Sequence, residues 1–353
     1  MENARRKLAV VLFNLGGPDG QDDVRPFLRN LFRDPAIIRA PGLIREALAL
    51  LISTTRAKEA KANYAKMGGG SPLLAETRKQ ADALKAQLDS DLPDWEIGVF
   101  PAMRYWHPLT ETVAGEVSDW DPDECVLLPL YPQYSTTTTA SSFNRWRESG
   151  GPETRTVCCY PTEPAFLDAH AALIRKTWEQ AGRPENVRLL FSAHGLPKTV
   201  IEDGDPYQWQ VEETVRALMP QLPEFPDWEI CYQSRVGPLE WIGPATDDAI
   251  RKTAEDGKSG ILLVPIAFVS EHIETLVELD EEYAEIAHEV GISTYVRVPA
   301  LGQDPVFIES LATMVKTALG RSSDVQPDCG QRICPAEWGE CPCRAKMLEL
   351  ENA

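Results

Sequence analysis

Short apolar runs recur along this chain, and each closes on a turn rich in Gly, Pro or polar residues. They predict strands at 8–14, 95–101, 124–130, 154–159, 186–192, 228–233, 259–268 and 292–298. Between them, helical periodicity covers 73–89, 164–181, 245–256, 273–289 and 303–319. Buried strands alternating with amphipathic helices predict an α/β protein whose parallel sheets are doubly wound by helices. The two halves also echo one another. Val10-Val11-Leu12-Phe13-Asn14-Leu15-Gly16-Gly17-Pro18 resembles Leu189-Leu190-Phe191-Ser192-Ala193-His194-Gly195-Leu196-Pro197, and Val126-Leu127-Leu128-Pro129-Leu130-Tyr131 resembles Ile261-Leu262-Leu263-Val264-Pro265-Ile266. Two related domains meeting near residue 160 are expected, with a Cys-rich extension after about residue 320.

A chain of 353 residues exceeds what one hydrophobic core usually serves, which agrees with two domains. The formal charge of −19 opposes nucleic-acid binding and offers no broad basic face to anionic lipid. A small cation or a mainly apolar ligand suits it better. Arg5-Arg6-Lys7 before Leu8–Phe13 mimics a signal peptide, but the apolar run is short and ends in Asn14-Leu15-Gly16-Gly17-Pro18. No segment approaches the ~18 apolar residues of a membrane span. A soluble, cytoplasmic protein is expected, with peripheral contact to the inner membrane and oligomeric state (monomer or homodimer) left open.

Candidate chemistry sits at strand ends, where a rigid sheet holds loops in place. His194 appears where Gly195 and Pro197 turn the chain, and an imidazole there can exchange protons near neutral pH. Glu271, His272 and Glu274 follow the strand Ile261–Phe268. On an α-helix, Glu274, Glu278 and Glu282 share a face at i, i+4 and i+8, a row that suits cation or proton passage. Oxygen ligands with one imidazole suit transient handling of a divalent ion better than a closed zinc site. Arg104-Tyr105-Trp106, Tyr131-Pro132-Gln133-Tyr134-Ser135 and Trp241 offer aromatic surface and a cation for a flat apolar ligand carrying carboxylates. Gly68-Gly69-Gly70 lacks the spacing of a phosphate loop. Cys125 and Cys231 read as buried hydrophobes. Cys329, Cys334, Cys341 and Cys343 fit an iron–sulfur cluster at least as well as zinc, drawn from the tail alone or from three tail thiols with Cys158 or Cys159.

These motifs together resemble the ferrochelatase family, whose members insert ferrous iron into a porphyrin to make haem. Phe191-Ser192-Ala193-His194-Gly195-Leu196-Pro197 and Ser270-Glu271-His272-Ile273-Glu274-Thr275-Leu276 carry the resemblance most specifically, and Tyr232-Gln233-Ser234-Arg235-Val236-Gly237-Pro238 adds to it. The resemblance implies a chelatase fold of two Rossmann-like domains, 1–160 and 161–320, with the macrocycle in the cleft between them and a cluster-binding extension at 321–353. It implies His194 and Glu274 as a facing catalytic pair that meets the substrate iron. Glu278 and Glu282 would form an acidic path with Glu271 and His272 beside it. Lys66, Arg104, Tyr105, Tyr131, Ser135, Ser192 and Trp241 would bind the porphyrin. The tail resembles the [2Fe–2S] segment of some bacterial members, with Cys334, Cys341 and Cys343 as ligands. Cluster-bearing relatives commonly place a remote cysteine where this chain has Thr136-Thr137-Thr138-Thr139, so Cys158 is expected as the fourth ligand, with Cys159 or Cys329 as alternatives.

The implied reaction is Fe2+ insertion into protoporphyrin IX with loss of two pyrrole protons, the last step of haem formation. Coproporphyrin as substrate, a metal-dependent hydrolase and a non-catalytic tetrapyrrole or iron carrier are the competing readings.

Overall fold

The structure is a computed structural model that describes residues 5–237, 239–321 and 325–343. The chain divides into two compact units, one of Met1–Cys159 with Leu311–Gln331 and one of Tyr160–Ser310 with Arg332–Ala353. The stretch expected to stand apart after about residue 320 is thus shared between them.

The first unit runs β1 (Arg6–Asn14), α1 (Val24–Arg33), α2 (Gly42–Lys66), α3 (Leu73–Asp91), β2 (Trp95–Met103), α4 (Thr110–Trp120), β3 (Glu124–Pro129), α5 (Thr139–Glu148) and β4 (Arg155–Val157). The second runs α6 (Pro164–Gln180), β5 (Val187–His194), α7 (Lys198–Glu202), α8 (Tyr207–Leu218), β6 (Trp228–Gln233), α9 (Thr246–Glu255) and β7 (Gly260–Pro265). A π-helical segment (Glu274–Glu282), α10 (Tyr283–Glu289) and β8 (Thr294–Arg297) complete its sheet. Helix α11 (Pro305–Leu319) then spans the division, and β9 (Val325–Gln326) rejoins the first unit.

The first sheet has the order β2-β1-β3-β4-β9 and the second β6-β5-β7-β8, with every pairing parallel. Both therefore place their first strand between the second and third, which is the echo heard in the sequence. Strands covered on both faces need apolar residues throughout. Accordingly Leu8 to Phe13 of β1 and Leu189 to Phe191 of β5 are all fully buried. Each such side chain stabilises its unit by roughly 1.5–3 kcal/mol. Strand β9 was not foreseen. It is two residues long, and it adds to β4 through Thr156–Val325 and Val157–Gln326. No helix among the described residues is long and apolar enough to cross a membrane.

Helix α6 shows how local signals set an element. Glu163 accepts a hydrogen bond from the Phe166 N–H at 2.7 Å and Pro164 occupies the first turn, so the start is capped. Its inner face buries Phe166, Leu167, His170, Ala171 and Ile174. His170 is 1% exposed, both ring nitrogens lack a hydrogen-bond partner, and its ring meets Phe166 edge-on at 4.7 Å. Burial alone pushes this imidazole down to about 3. The native state therefore keeps His170 neutral while an unfolded chain protonates it below about pH 6.5. Its contribution is complete above that pH and is lost as pH falls from 6.5 toward 3. Replacing His170 with Phe is expected to recover about 2 kcal/mol of the stability lost between pH 7 and pH 5. Urea midpoints of both proteins at the two pH values measure this, and equal acid losses would refute it.

Candidate active site

In each sheet the connections leave the first strand in opposite directions, and the crevice at that strand's carboxyl end is where α/β proteins bind ligands. In the second unit that strand is β5, and its last residue is His194, in register with Gln233 at the end of β6. A Cβ on Gly195 would stand 2.8 Å from the Gln233 carbonyl oxygen and 3.3 Å from the Trp241 ring. The turn after His194 therefore needs glycine because a strand and an indole close on it from two sides. Trp241 is held there by its N–H to the Val236 carbonyl at 3.0 Å and by a bridge to Pro197.

His194 Nδ1 lies 2.8 Å from Glu274 Oε2, and His272 Nε2 lies 3.9 Å from Glu274 Oε1. The His194 side chain keeps 39% of its surface accessible, so the pair is densely surrounded yet open on one side. Burial raises Glu274, but the charge and hydrogen bond of His194, helped by His272 and Ser234, outweigh it and hold the carboxyl near 2. Burial lowers His194, and Glu274, with Glu278 farther off, more than reverses it, so this imidazole sits above its ordinary value. His272 moves the other way. Burial dominates there, Glu274 only partly offsets it, and its Nδ1 contacts the Ser270 carbonyl at 3.1 Å. Two imidazoles on one carboxylate thus differ in basicity.

Glu278 is raised by burial first and by the Glu274 charge second. It accepts from Gln233 Nε2 at 3.0 Å, from Ser234 N at 2.9 Å and Oγ at 2.5 Å, and from Tyr283 OH at 3.0 Å. Ser234 makes both of its bonds from a left-handed backbone with φ of 64°. That conformation costs a non-glycine residue on the order of 1 kcal/mol and is met mostly where function needs it. Ser192, expected to touch substrate, is fully buried and donates to Gln233 Oε1 at 2.9 Å. It reaches the site only through Gln233. Glu271 is bound by Arg297 at 2.8 Å and by the Ala300 N–H at 2.9 Å, which places it in an ion pair rather than beside Glu274.

The acidic row also differs from its α-helical expectation. Residues 274–282 form a π-helix with i→i+5 turns, and Glu278 is met by Tyr283, five residues on. Glu274 and Glu278 are inward on these wider turns, while Glu282 is exposed.

The first unit carries the other expected binding residues. Arg104 donates to Asp34 Oδ2 at 2.6 Å and to Ser141 Oγ at 2.7 Å, and its guanidinium lies 4.9 Å from the Tyr105 ring centre. The Tyr105 and Ser141 hydroxyls join the same Asp34 oxygen at 2.8 and 2.5 Å. Arg104 is thus orientated by a buried carboxylate that the sequence reading missed, since Asp34 sits in no strand-end motif. Tyr105 and Ser135 are each 1% exposed, too deep to meet a ligand directly. The Tyr131 hydroxyl is buried without a hydrogen-bond partner, and Lys66 is exposed in the last turn of α2.

Comparison with known proteins identifies the family. The sequence profile of ferrochelatases matches residues 7–319. The chain belongs to the ferrochelatase family. It is 61% identical over 342 residues to the ferrochelatase of Caulobacter vibrioides strain NA1000, covering 96% of this chain and 98% of that one. The ferrochelatase of Phenylobacterium zucineum is 59% identical over 340 residues, again with 96% and 98% covered. Among solved structures, CbiX, the terminal enzyme of siroheme biosynthesis in denitrifying bacteria, aligns with a TM-score of 0.50 at 16% identity, covering 89% of this chain and 99% of that one. That likeness concerns the fold. The protein is accordingly an enzyme, a metal chelatase of the lyase class, and its reaction is iron insertion into a porphyrin to give protohaem.

Family membership gives the opposed basicities a use, because a chelatase must accept protons while a cation arrives. With Glu274 neutralised as Gln, His194 loses the charge that raises it and keeps the burial that lowers it. Glu274→Gln should therefore move the His194 titration to lower pH. Carbon-13 NMR of labelled histidine checks this, and an unmoved or upward titration would refute the pairing.

Proposed function

We propose that the site works by exchanging the two inner protons of protoporphyrin IX for one ferrous ion, with His194 as the nitrogen base and Glu274 as the fixed anion beside it. The 2.8 Å contact between them, with the imidazole raised and the carboxyl lowered, carries this reading. Metallation trades two protons for two positive charges, so the site needs proton acceptors next to a group that stays anionic. Glu274 stays anionic, and His194 and Glu278 both hold protons more readily than usual. An arriving dication takes over the role of imidazolium as counter-charge to Glu274. That favours proton release from His194 and leaves its nitrogen free to accept the pyrrole proton. Glu278 and Glu282 would form the acidic path with His272 beside it, while Glu271 is held outside it by Arg297. Arg104 and Lys66 would meet the porphyrin carboxylates, and Tyr131 and Trp241 would offer aromatic surface. Tyr105, Ser135 and Ser192, all buried, would act by holding their neighbours.

The same reading assigns a [2Fe–2S] cluster to the Cys-rich segment. Cys334, Cys341 and Cys343 are all buried. Hydrogen bonds from Cys334 and then Cys343 overcome burial and hold the Cys341 thiol well below the usual range. Gln210 adds an amide N–H to the Cys334 sulfur at 3.2 Å. Buried sulfurs that hydrogen-bond one another, one of them thiolate-prone, with an outer hydrogen bond are the donor chemistry such clusters use. Among the described residues no group of three or more Cys, His, Asp or Glu is placed where it could hold a metal ion. The fourth ligand in this reading is Cys158. Cys158 and Cys159 are both buried with their sulfurs 3.4 Å apart. A bound cluster would supply four iron–sulfur bonds that tie the segment down.

Two measurements test these assignments. His194→Ala should abolish iron insertion while porphyrin fluorescence still titrates with the protein, and retained turnover would remove His194 from the mechanism. Anaerobically purified protein should be reddish, with sulfide equal to its non-substrate iron. Cys341→Ser and Cys158→Ser should bleach it while Cys159→Ser does not. A colourless preparation containing zinc would overturn the cluster.

A further inference from the structure

A recess of about 350 Å3 opens on the second unit, beside α8 at the edge strand β6. Trp228, Ile230 and Pro244 give it an apolar wall, and Glu212, Glu229 and Tyr232 supply its polar atoms. Two features distinguish it from an ordinary surface dent. Tyr232 is 3% exposed, yet its hydroxyl has no hydrogen-bond partner. Buried polar atoms left unpaired destabilise a fold unless another group completes them. Trp228, by contrast, leaves 40% of its surface in water, with its ring edge-on to Phe191 at 6.5 Å.

The surrounding charge selects the kind of partner. Arg188 faces Asp227 at 2.6 Å, Asp256 at 2.9 Å and Glu229 at 3.7 Å, Lys258 shares Asp227 and Lys252 shares Asp256, so Glu229 belongs to a network in which three cations balance three carboxylates. Arg216, at the rim, is engaged by Glu213. Glu212 is met by a neutral group, the Gln208 amide at 3.0 Å. Two carboxylates without a third ligand make a poor metal site. Glu212, met by a neutral amide, together with the unpartnered Tyr232 hydroxyl and an indole face makes a good site for a flat organic cation.

We propose that this recess binds a small organic cation, a protonated amine or amidine on a flat apolar body. The body lies against Trp228, and its N–H groups are shared by Glu212 and the Tyr232 oxygen. The site is separate from the His194 chemistry and does not depend on it.

Benzamidine titrated into the full chain by calorimetry is the test, with benzamide as the neutral match and benzoate as the anion. A dissociation constant on the order of 1 mM is expected for so small a ligand. Benzamide should bind at least about tenfold more weakly and benzoate not at all. Glu212→Gln and Tyr232→Phe should each weaken benzamidine about fivefold or more. Tyr232→Phe should at the same time leave the thermal midpoint unchanged or higher, since it removes an unpaired buried hydroxyl. His194→Ala should leave the affinity untouched. Benzamide or benzoate matching benzamidine, Tyr232→Phe without effect on affinity, or loss of binding in His194→Ala would each overturn the proposal.

Discussion

A carboxylate held out of water at the end of β5 is the constraint from which the active site follows. An isolated buried Glu274 would take up a proton, because burial penalises its charge. His194 at 2.8 Å reverses that, and once an imidazole must stand there the local chain has little freedom. Strand β5 must end at that residue, the next must be glycine to clear the Gln233 carbonyl, and Trp241 must close on the turn. The same charge then acts on Glu278, which cannot ionise easily beside it and so keeps its proton affinity. Burial and this one anion together thus set His194, His272 and Glu278 to different basicities.

Much of this was legible because parallel strands covered on both faces advertise themselves as unbroken apolar runs. Eight of the nine strands were expected near their observed positions. His194 and the Glu271-His272-Glu274 group were legible for a related reason: Gly, Pro and charged residues directly after such a run mark a strand end. Strand β9 escaped because two residues, Val325 and Gln326, leave no periodicity to read, and their pairing depends on β4, far away in sequence.

What stayed hidden depended on tertiary partners. The glutamate row fits α-helical spacing on paper, yet the segment is π-helical, a state that side-chain periodicity does not encode. Ser234 looks like any turn serine until its φ of 64° shows both its donors aimed at Glu278. Asp34 is equally silent. It matters because the Arg104, Tyr105 and Ser141 side chains converge on one of its oxygens. Ser192 erred the other way, since a motif cannot separate a residue that meets substrate from one that props its neighbour.

The two sheets carry the same strand order but different chemistry, and the difference is set largely at one residue. At the end of β1 stands Asn14, whose amide donates to Thr77 at 3.0 Å and accepts from Leu15 N–H at 2.8 Å. Such a side chain is satisfied locally and has no proton to exchange. At the end of β5 stands His194, whose open edge and charged partner leave it free to take up and release one. Where the first unit does employ charge, it fixes it: Asp34 and Arg104 form a buried pair that holds the guanidinium in one place. A parallel sheet supplies the place for chemistry twice over, and the side chain that ends its central strand decides whether that place presents a satisfied amide or a titratable imidazole.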